Sequence, residues 1–206
     1  VLVALVARTV IPKGVKLWAY CFALAFFGNS LPFFLISWGV AGIASGLAAI
    51  LMAVMPLTTL VLAHFFAEGD RLKPAKLIGV LFGFAGVVVL VGPDALAGLG
   101  GEVARQLATA GGAVCYAVSV IIARRTPPAP LIGRATLVLV FSVVQTVPLA
   151  LYLAGWTLPV FTFESFWPGL YLGLFPTALA TLVLFKLINE REPSFVAFQN
   201  YLVPVM

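Results

Sequence analysis

Three hydrogen-bonding side chains, Asn29, Tyr116 and Gln145, sit deep in stretches otherwise built from Leu, Val, Ala and Phe. Other groups of use in recognition recur around them at helical spacing. Phe22, Phe26, Asn29 and Phe33 are four, three and four places apart, and Thr109, Gly112, Tyr116 and Ser119 are three, four and three apart. Ser142 and Gln145 lie three apart, Thr177 and Thr181 four apart, and Gln199 and Asn200 are adjacent. Residues three or four apart share one helix face. Aromatic walls carrying a few amides and hydroxyls suit non-covalent recognition of a small amphipathic solute. Asn29, Tyr116 and Gln145, with Phe26, Ser119 and Thr177, are the expected substrate-binding set. The competing role is structural: Ser and Thr bonding backbone carbonyls, Asn and Gln tying helices together.

Covalent chemistry is poorly provided for. The one histidine, His64, stands four places before Glu68. The pair could relay protons, but an interfacial histidine beside a helix-end acid is the favoured reading. No Asp or Glu falls mid-way along any apolar stretch, so no nucleophile–base set or metal cluster is expected there. Cys21 and Cys115 lie in separate apolar stretches without metal or redox spacing and read as small packing residues. We therefore expect no enzyme, no catalytic residue, no metal and no cofactor. Ion-coupled transporters commonly use an intramembrane carboxylate, and no such coupling site is expected in this stretch of chain.

Composition fixes what must hold these residues. Of 206 residues, 63% are hydrophobic and 9% charged, and mean hydropathy is +1.15. Soluble domains carry roughly 25% charged residues, so too few are present to build a water-facing surface. The apolar runs are continuous and of helix-spanning length, about 20 residues, not the ~10-residue alternating stretches of a barrel. The reading is an all-α, polytopic transmembrane bundle. Complete crossings are expected over 17–38, 46–66, 77–92, about 106–123, 135–154 and 166–185. Pro32, Pro56 and Pro176 fall within crossings, where neighbouring helices can accommodate breaks. Partial crossings are expected at both ends, before Arg8 and in the final VPVM, as though the chain were cut there. The net charge of +5 points to lipid rather than nucleic acid, because no basic face is interleaved with aromatics.

Alternate loops divide the basic residues unequally. One side receives Arg8, Lys13, Lys16, Arg71, Lys73, Lys76, Arg124, Arg125, Arg134, Lys186 and Arg191; the other receives Arg105 alone. The positive-inside rule makes the first side cytoplasmic. Trp18, Trp38, Trp156 and Trp167 fall near expected helix ends, where an aromatic belt places them. Gly42/Gly46, Gly79/Gly83 and Gly169/Gly173 have the small-xxx-small spacing of close helix packing. A homodimer is the second use of such spacing.

Sliding the chain by the distance from Pro56 to Pro204 lays AILMAVMP over AFQNYLVP, and Leu24, Phe27 and Leu31 over Leu172, Phe175 and Leu179, without a gap. An odd number of crossings separates the copies, so the second would be inverted. Inverted repeats mark secondary transporters, with the solute near the midplane between them. The stretch from Ser45 to Gly92 resembles the core of an EamA domain of the drug/metabolite transporter superfamily. It has small residues at Ser45–Ala49, a mid-helix Pro56, Glu68 past the helix end, and Gly79, Gly83 and Gly86 in the next helix. Gly111 to Pro204 resembles the start of a second copy. The resemblance implies repeats at 1–93 and 102–206, lacking outer helices of a ten-helix family. It also implies a plasma-membrane secondary transporter, in the bacterial inner membrane. Such a protein would move an amino acid or related metabolite by alternating access, with export as the family tendency. A membrane channel or a scaffold is the alternative.

Overall fold

The computed structural model describes residues 13–67, 69–156 and 163–201. Arg8, Glu68 and Pro204, which carried expectations above, lie outside the described residues, as does the side chain of Pro176. Six helices are long and apolar enough to cross a membrane: α1 (Val15–Val40), α2 (Ser45–Phe66), α3 (Pro74–Val91), α4 (Val103–Arg125), α5 (Leu131–Leu153) and α6 (Phe166–Glu190). A short α7 (Pro193–Ala197) follows and tightens into a 3-10 turn, Phe198–Tyr201. No strand occurs among the described residues. The chain is an all-α, multi-pass integral membrane protein.

Local chemistry explains the boundaries. Pro74 and Pro193 open α3 and α7, where a missing N–H costs nothing. Gly92 ends α3 with φ 97°, a conformation that favours glycine. Lys76, Arg134 and Lys186, expected in loops, instead lie inside helix ends. Long cationic side chains allow this for Lys76 and Lys186, since their apolar stems follow the helix while the head seeks a polar end; Arg134 is instead buried against the Phe185 ring.

Contacts at the helix ends set the up-and-down order. Arg125, closing α4, donates Nε–H to the Phe66 carbonyl at the end of α2 (2.7 Å). Arg124 donates to the Ile188 carbonyl at the end of α6 (3.0 Å). Lys76, opening α3, reaches Glu192 just before α7 (2.6 Å). At the opposite end Arg105, opening α4, donates to the Trp38 carbonyl near the end of α1 (2.6 Å) and lies over its ring. The basic residues thus gather at one end of an antiparallel bundle.

The core centres on α4, whose Thr109, Gly112, Ala113, Ala117 and Val120 are buried. The second half of α1 packs most extensively against it. Gly39 permits that approach: a Cβ there would collide with the Thr109 side chain and lie 2.8 Å from the Arg105 carbonyl oxygen. Phe82 and Val89 of α3 and Val143 and Val144 of α5 point away from the bundle, as lipid-facing side chains do.

Two of the prolines inside these helices leave carbonyls that are served in an orderly way. Proline cannot donate to the carbonyl four residues back. Pro56 therefore frees the Met52 carbonyl, which instead accepts from Asn200 Nδ2 at 2.8 Å. In α6, the Leu172 carbonyl that Pro176 cannot serve accepts from the Thr177 hydroxyl at 2.9 Å. Two π-turns interrupt the α-helical pattern, Phe26–Ser30 in α1 and Gly173–Leu179 in α6. Such turns are uncommon and concentrate at functional sites.

Candidate functional site

A cavity opens beside α4, between α1, α6 and the segment after α7. One lobe of about 490 Å³ is lined by Asn29, Tyr116, Ser119, Thr181, Gln199 and Asn200, over apolar Leu24, Met55, Val138, Phe185 and Ile188. A second lobe of about 560 Å³ shares Gly28, Asn29, Tyr116, Thr181, Leu184 and Gln199 and adds Thr177, Phe33 and Phe175. Both π-turns border it. A π-turn carries more residues per turn than an α-helix, so it displaces side chains from the regular stripe. That is why Asn29 faces this cavity while Phe26, three places earlier, does not.

The hydrogen-bond inventory separates committed groups from available ones. Asn29 donates Nδ2–H to Ser142 Oγ (2.8 Å), and Ser142 donates to the Val138 carbonyl (2.9 Å). This chain fixes the amide plane and leaves Asn29 Oδ1 without a donor among the described residues. The Tyr116 hydroxyl and the Gln199 amide likewise have no hydrogen-bond partner among the described residues. Ser119 donates to the Tyr116 carbonyl (2.8 Å) and Thr181 to the Thr177 carbonyl (2.6 Å). Their protons are spent on backbone, as the structural alternative holds, but their oxygens keep acceptor capacity toward the cavity. The site can offer hydrogen bonds and apolar contact.

Of the six expected residues, Asn29, Tyr116, Ser119 and Thr177 meet at this cavity. Gln145 and Phe26 line a separate, mainly apolar groove of about 580 Å³ between α1 and α5. Gln145 accepts from Ser30 Oγ (2.8 Å) and donates to the Phe22 carbonyl (3.1 Å), which ties the two helices together. Gln199 joins the cavity although it stood outside the expected set. Its sequence signal was an amide beside Asn200 in an apolar stretch, and the two amides have different fates: Asn200 spends its donor on Met52, whereas Gln199 stays uncommitted.

A second constellation lies at the basic end. Asp70 is fully buried. It accepts from Lys76 Nζ (2.6 Å), from Ser194 N–H (2.9 Å) and from the Ser194 hydroxyl (2.7 Å). Lys76 also holds Glu192, so the cluster clasps the α2–α3 loop to the start of α7. Burial alone would raise the Asp70 carboxyl, but the hydrogen bonds from Lys76 and Ser194 outweigh it and hold it below its ordinary value. His64, nearby in sequence, accepts the Leu72 N–H at 3.3 Å, a loop-fixing contact. Cys21 and Cys115 are buried and unpaired in disulfides.

Comparison with known proteins bears on what this arrangement is. An uncharacterized transporter of Archaeoglobus fulgidus is 33% identical over 73 residues, covering 35% of this chain and 26% of that protein. The uncharacterized transporter YvbV of Bacillus subtilis is 28% identical over 151 residues, covering 67% of this chain and 45% of that one. The matched stretches thus span less than half of either relative. A solved crystal structure superposes with a TM-score of 0.76 at 23% identity, covering 99% of this chain and 70% of that one, and shows a shared fold. The model of the EamA-like transporter family matches residues 1–92, so that stretch of the chain is similar to the EamA-like transporter family.

Proposed function

We propose that the chain is part of a secondary transporter that carries a small organic solute, an amino acid or related metabolite, across a bacterial plasma membrane by alternating access. One observation carries the reading: the cavity beside α4 holds three uncommitted hydrogen-bonding groups, Asn29 Oδ1, the Tyr116 hydroxyl and the Gln199 amide, inside an apolar bundle. Leaving the partly buried Asn29 and Tyr116 groups unpaired costs up to roughly 1–3 kcal/mol each. A solute that comes and goes offsets that cost only while bound, as a carrier site requires.

The repeat supports the same reading. Shifting Phe26–Ser30 by the 148 places that separate Met52 from Asn200 lands it inside Gly173–Leu179, so the two π-turns coincide. Met52 and Asn200 are equivalent positions under that shift, and they touch. Contact between equivalent positions is what a pseudo-two-fold axis produces. The two EamA-like repeats, 1–93 and 102–206, would then rock about this axis. The Asp70–Lys76–Glu192 clasp would hold the basic, cytoplasmic end shut in one state. Export is the direction we assign.

The test is solute profiling in inside-out vesicles from cells expressing the full-length parent protein. A solute accumulated by the parent but not by an Asn29→Leu variant of equal membrane abundance is expected. Equal accumulation by both would remove Asn29 from the pathway. No accumulation of any solute over empty-vector vesicles would overturn the export reading.

A further inference from the structure

A groove of about 360 Å³ lies at the basic end of the bundle, between α1 and α2 and over α4. Tyr20 of α1, Leu62 and Phe66 of α2, and Val118, Ile122 and Arg125 of α4 line it. It is separate from the central cavity, to which α4 contributes Tyr116, Ser119 and Ala123. Val118, Ile122 and Arg125 are four and three places apart and share one helix face. At about 3.6 residues per turn the cavity-lining set falls on the opposite face. The groove therefore opens away from the cavity, on the side where lipid lies.

Its chemistry changes along its length. Leu62, Val118 and Ile122 make an apolar wall. Arg125, at the end of α4, is exposed at its mouth. Its Nε–H goes to the Phe66 carbonyl at 2.7 Å, and its guanidinium carbon lies 5.5 Å from the centroid of the Phe66 ring. These contacts fix the side chain and leave both Nη groups without a hydrogen-bond partner among the described residues. No carboxylate among the described residues pairs with it; Asp70 and Glu192 both pair with Lys76. Lys16, exposed in the first turn of α1, is four places before Tyr20 and on the same face. It brings a second cation to the same end.

An apolar wall beneath two cations matches a ligand that is hydrocarbon at one end and anionic at the other. A soluble anion leaves the wall uncovered, and a zwitterionic lipid brings no net charge to the cations. Basic pockets between transmembrane helices bind anionic headgroups. We propose that the groove is a binding site for an anionic phospholipid of the leaflet at the basic end. One acyl chain lies against Leu62, Val118 and Ile122, and the phosphate accepts hydrogen bonds from Arg125 and Lys16. The planar guanidinium suits this role, since paired N–H donors match phosphate oxygens. The site is independent of which solute the central cavity takes.

Native mass spectrometry of the purified full-length protein tests it, beside size-exclusion profiles. The probes are palmitoyl-oleoyl phosphatidylglycerol and the phosphatidylcholine with the same chains. Phosphatidylglycerol is expected to bind at least about fivefold more tightly, the worth of one cation beside an anionic headgroup. Arg125→Gln should remove about fivefold of that affinity and leave phosphatidylcholine unchanged. Val118→Trp keeps every charge but fills the groove, and should weaken phosphatidylglycerol as well. Lys73→Gln removes an exposed cation outside the groove lining and should change nothing. Glycerophosphoglycerol, the headgroup without chains, should not compete. Phosphatidylglycerol that binds no more tightly than phosphatidylcholine overturns the site. So does an equal loss in Lys73→Gln and Arg125→Gln, which would reduce the effect to general surface charge. Competition by glycerophosphoglycerol overturns it in favour of a free anion. A dimer that phosphatidylglycerol leaves intact and Val118→Trp dissociates overturns it in favour of a second copy of the chain. If Arg125→Gln elutes aggregated, Lys16→Gln and Val118→Trp decide: parent-like phosphatidylglycerol binding in both overturns the site.

Discussion

Tyr116 and Gln199 differ from most polar side chains in this bundle because nothing among the described residues bonds them. Replacing Tyr116 with Phe keeps the ring packing and removes only the hydroxyl. Since no protein hydrogen bond is lost, stability should change by less than about 0.5 kcal/mol. If the hydroxyl meets solute, half-saturation should rise about tenfold, the worth of one hydrogen bond at ~1.4 kcal/mol. Flux over a concentration series, beside a melting curve, separates these effects. Ser142→Ala makes the complementary case. It removes the acceptor that orients Asn29, so both stability and half-saturation should worsen. A Ser142→Ala variant with parent-like half-saturation would mean that the orientation of the Asn29 amide does not matter for transport.

At the scale of elements, prolines and loops carry the argument. Asn200 supplies the hydrogen bond that Pro56 denies to Met52. Asn200→Leu leaves that carbonyl orphaned and should cost roughly 1–3 kcal/mol. The paired change Pro56→Ala restores an N–H inside α2 and should recover part of the loss in a double-mutant melting comparison. Additive effects of the two changes would show that the proline and the amide are unrelated. The Asp70 clasp gives a pH signature. Its folded-state pKa is lowered, so its contribution is fully present above the ordinary Asp value of about 3.9 and fades as pH falls through the lower folded value. Asp70→Asn abolishes that acid limb and, by taking one of its two carboxylates from Lys76 and the charged acceptor from Ser194, should destabilise the neutral protein by roughly 1.5–3 kcal/mol. Melting curves from pH 7 down to about 3 check both effects. A parent-like acid limb in Asp70→Asn would assign it to other carboxylates.

For the whole molecule, orientation follows from lopsided charge. Single cysteines at Lys73 and Arg125, in a background lacking Cys21 and Cys115, should resist an impermeant thiol reagent on intact cells. Cysteines at Asp94 and Trp156 should react. Arg125 meets Phe66 at one end of the bundle and Arg105 meets Trp38 at the other, so the two sets report opposite faces. Labelling at position 73 but not at 94 would reverse the orientation and, with it, the side on which the Asp70 clasp closes.

Sequence alone determined the all-helical membrane architecture, the crossings to within a few residues, and the sidedness of the charges. These are set by solvent: apolar runs of helix length and the cost of burying Lys and Arg leave one solution, and no partner need be known. Sequence also marked Asn29 and Tyr116, because an uncharged polar group in hydrocarbon stands out wherever its helix goes. Only the tertiary structure decided which polar groups are spent and which are free. Gln145 and Gln199 look alike in sequence; one binds Ser30 and the Phe22 carbonyl, the other faces the cavity uncommitted. Arg134 read as a loop cation and proved to be buried against Phe185. The π-turn that holds Phe26 and Asn29 follows no periodicity in the chain. Hydrogen bonds form between residues more than a hundred places apart, and local spacing carries no record of them.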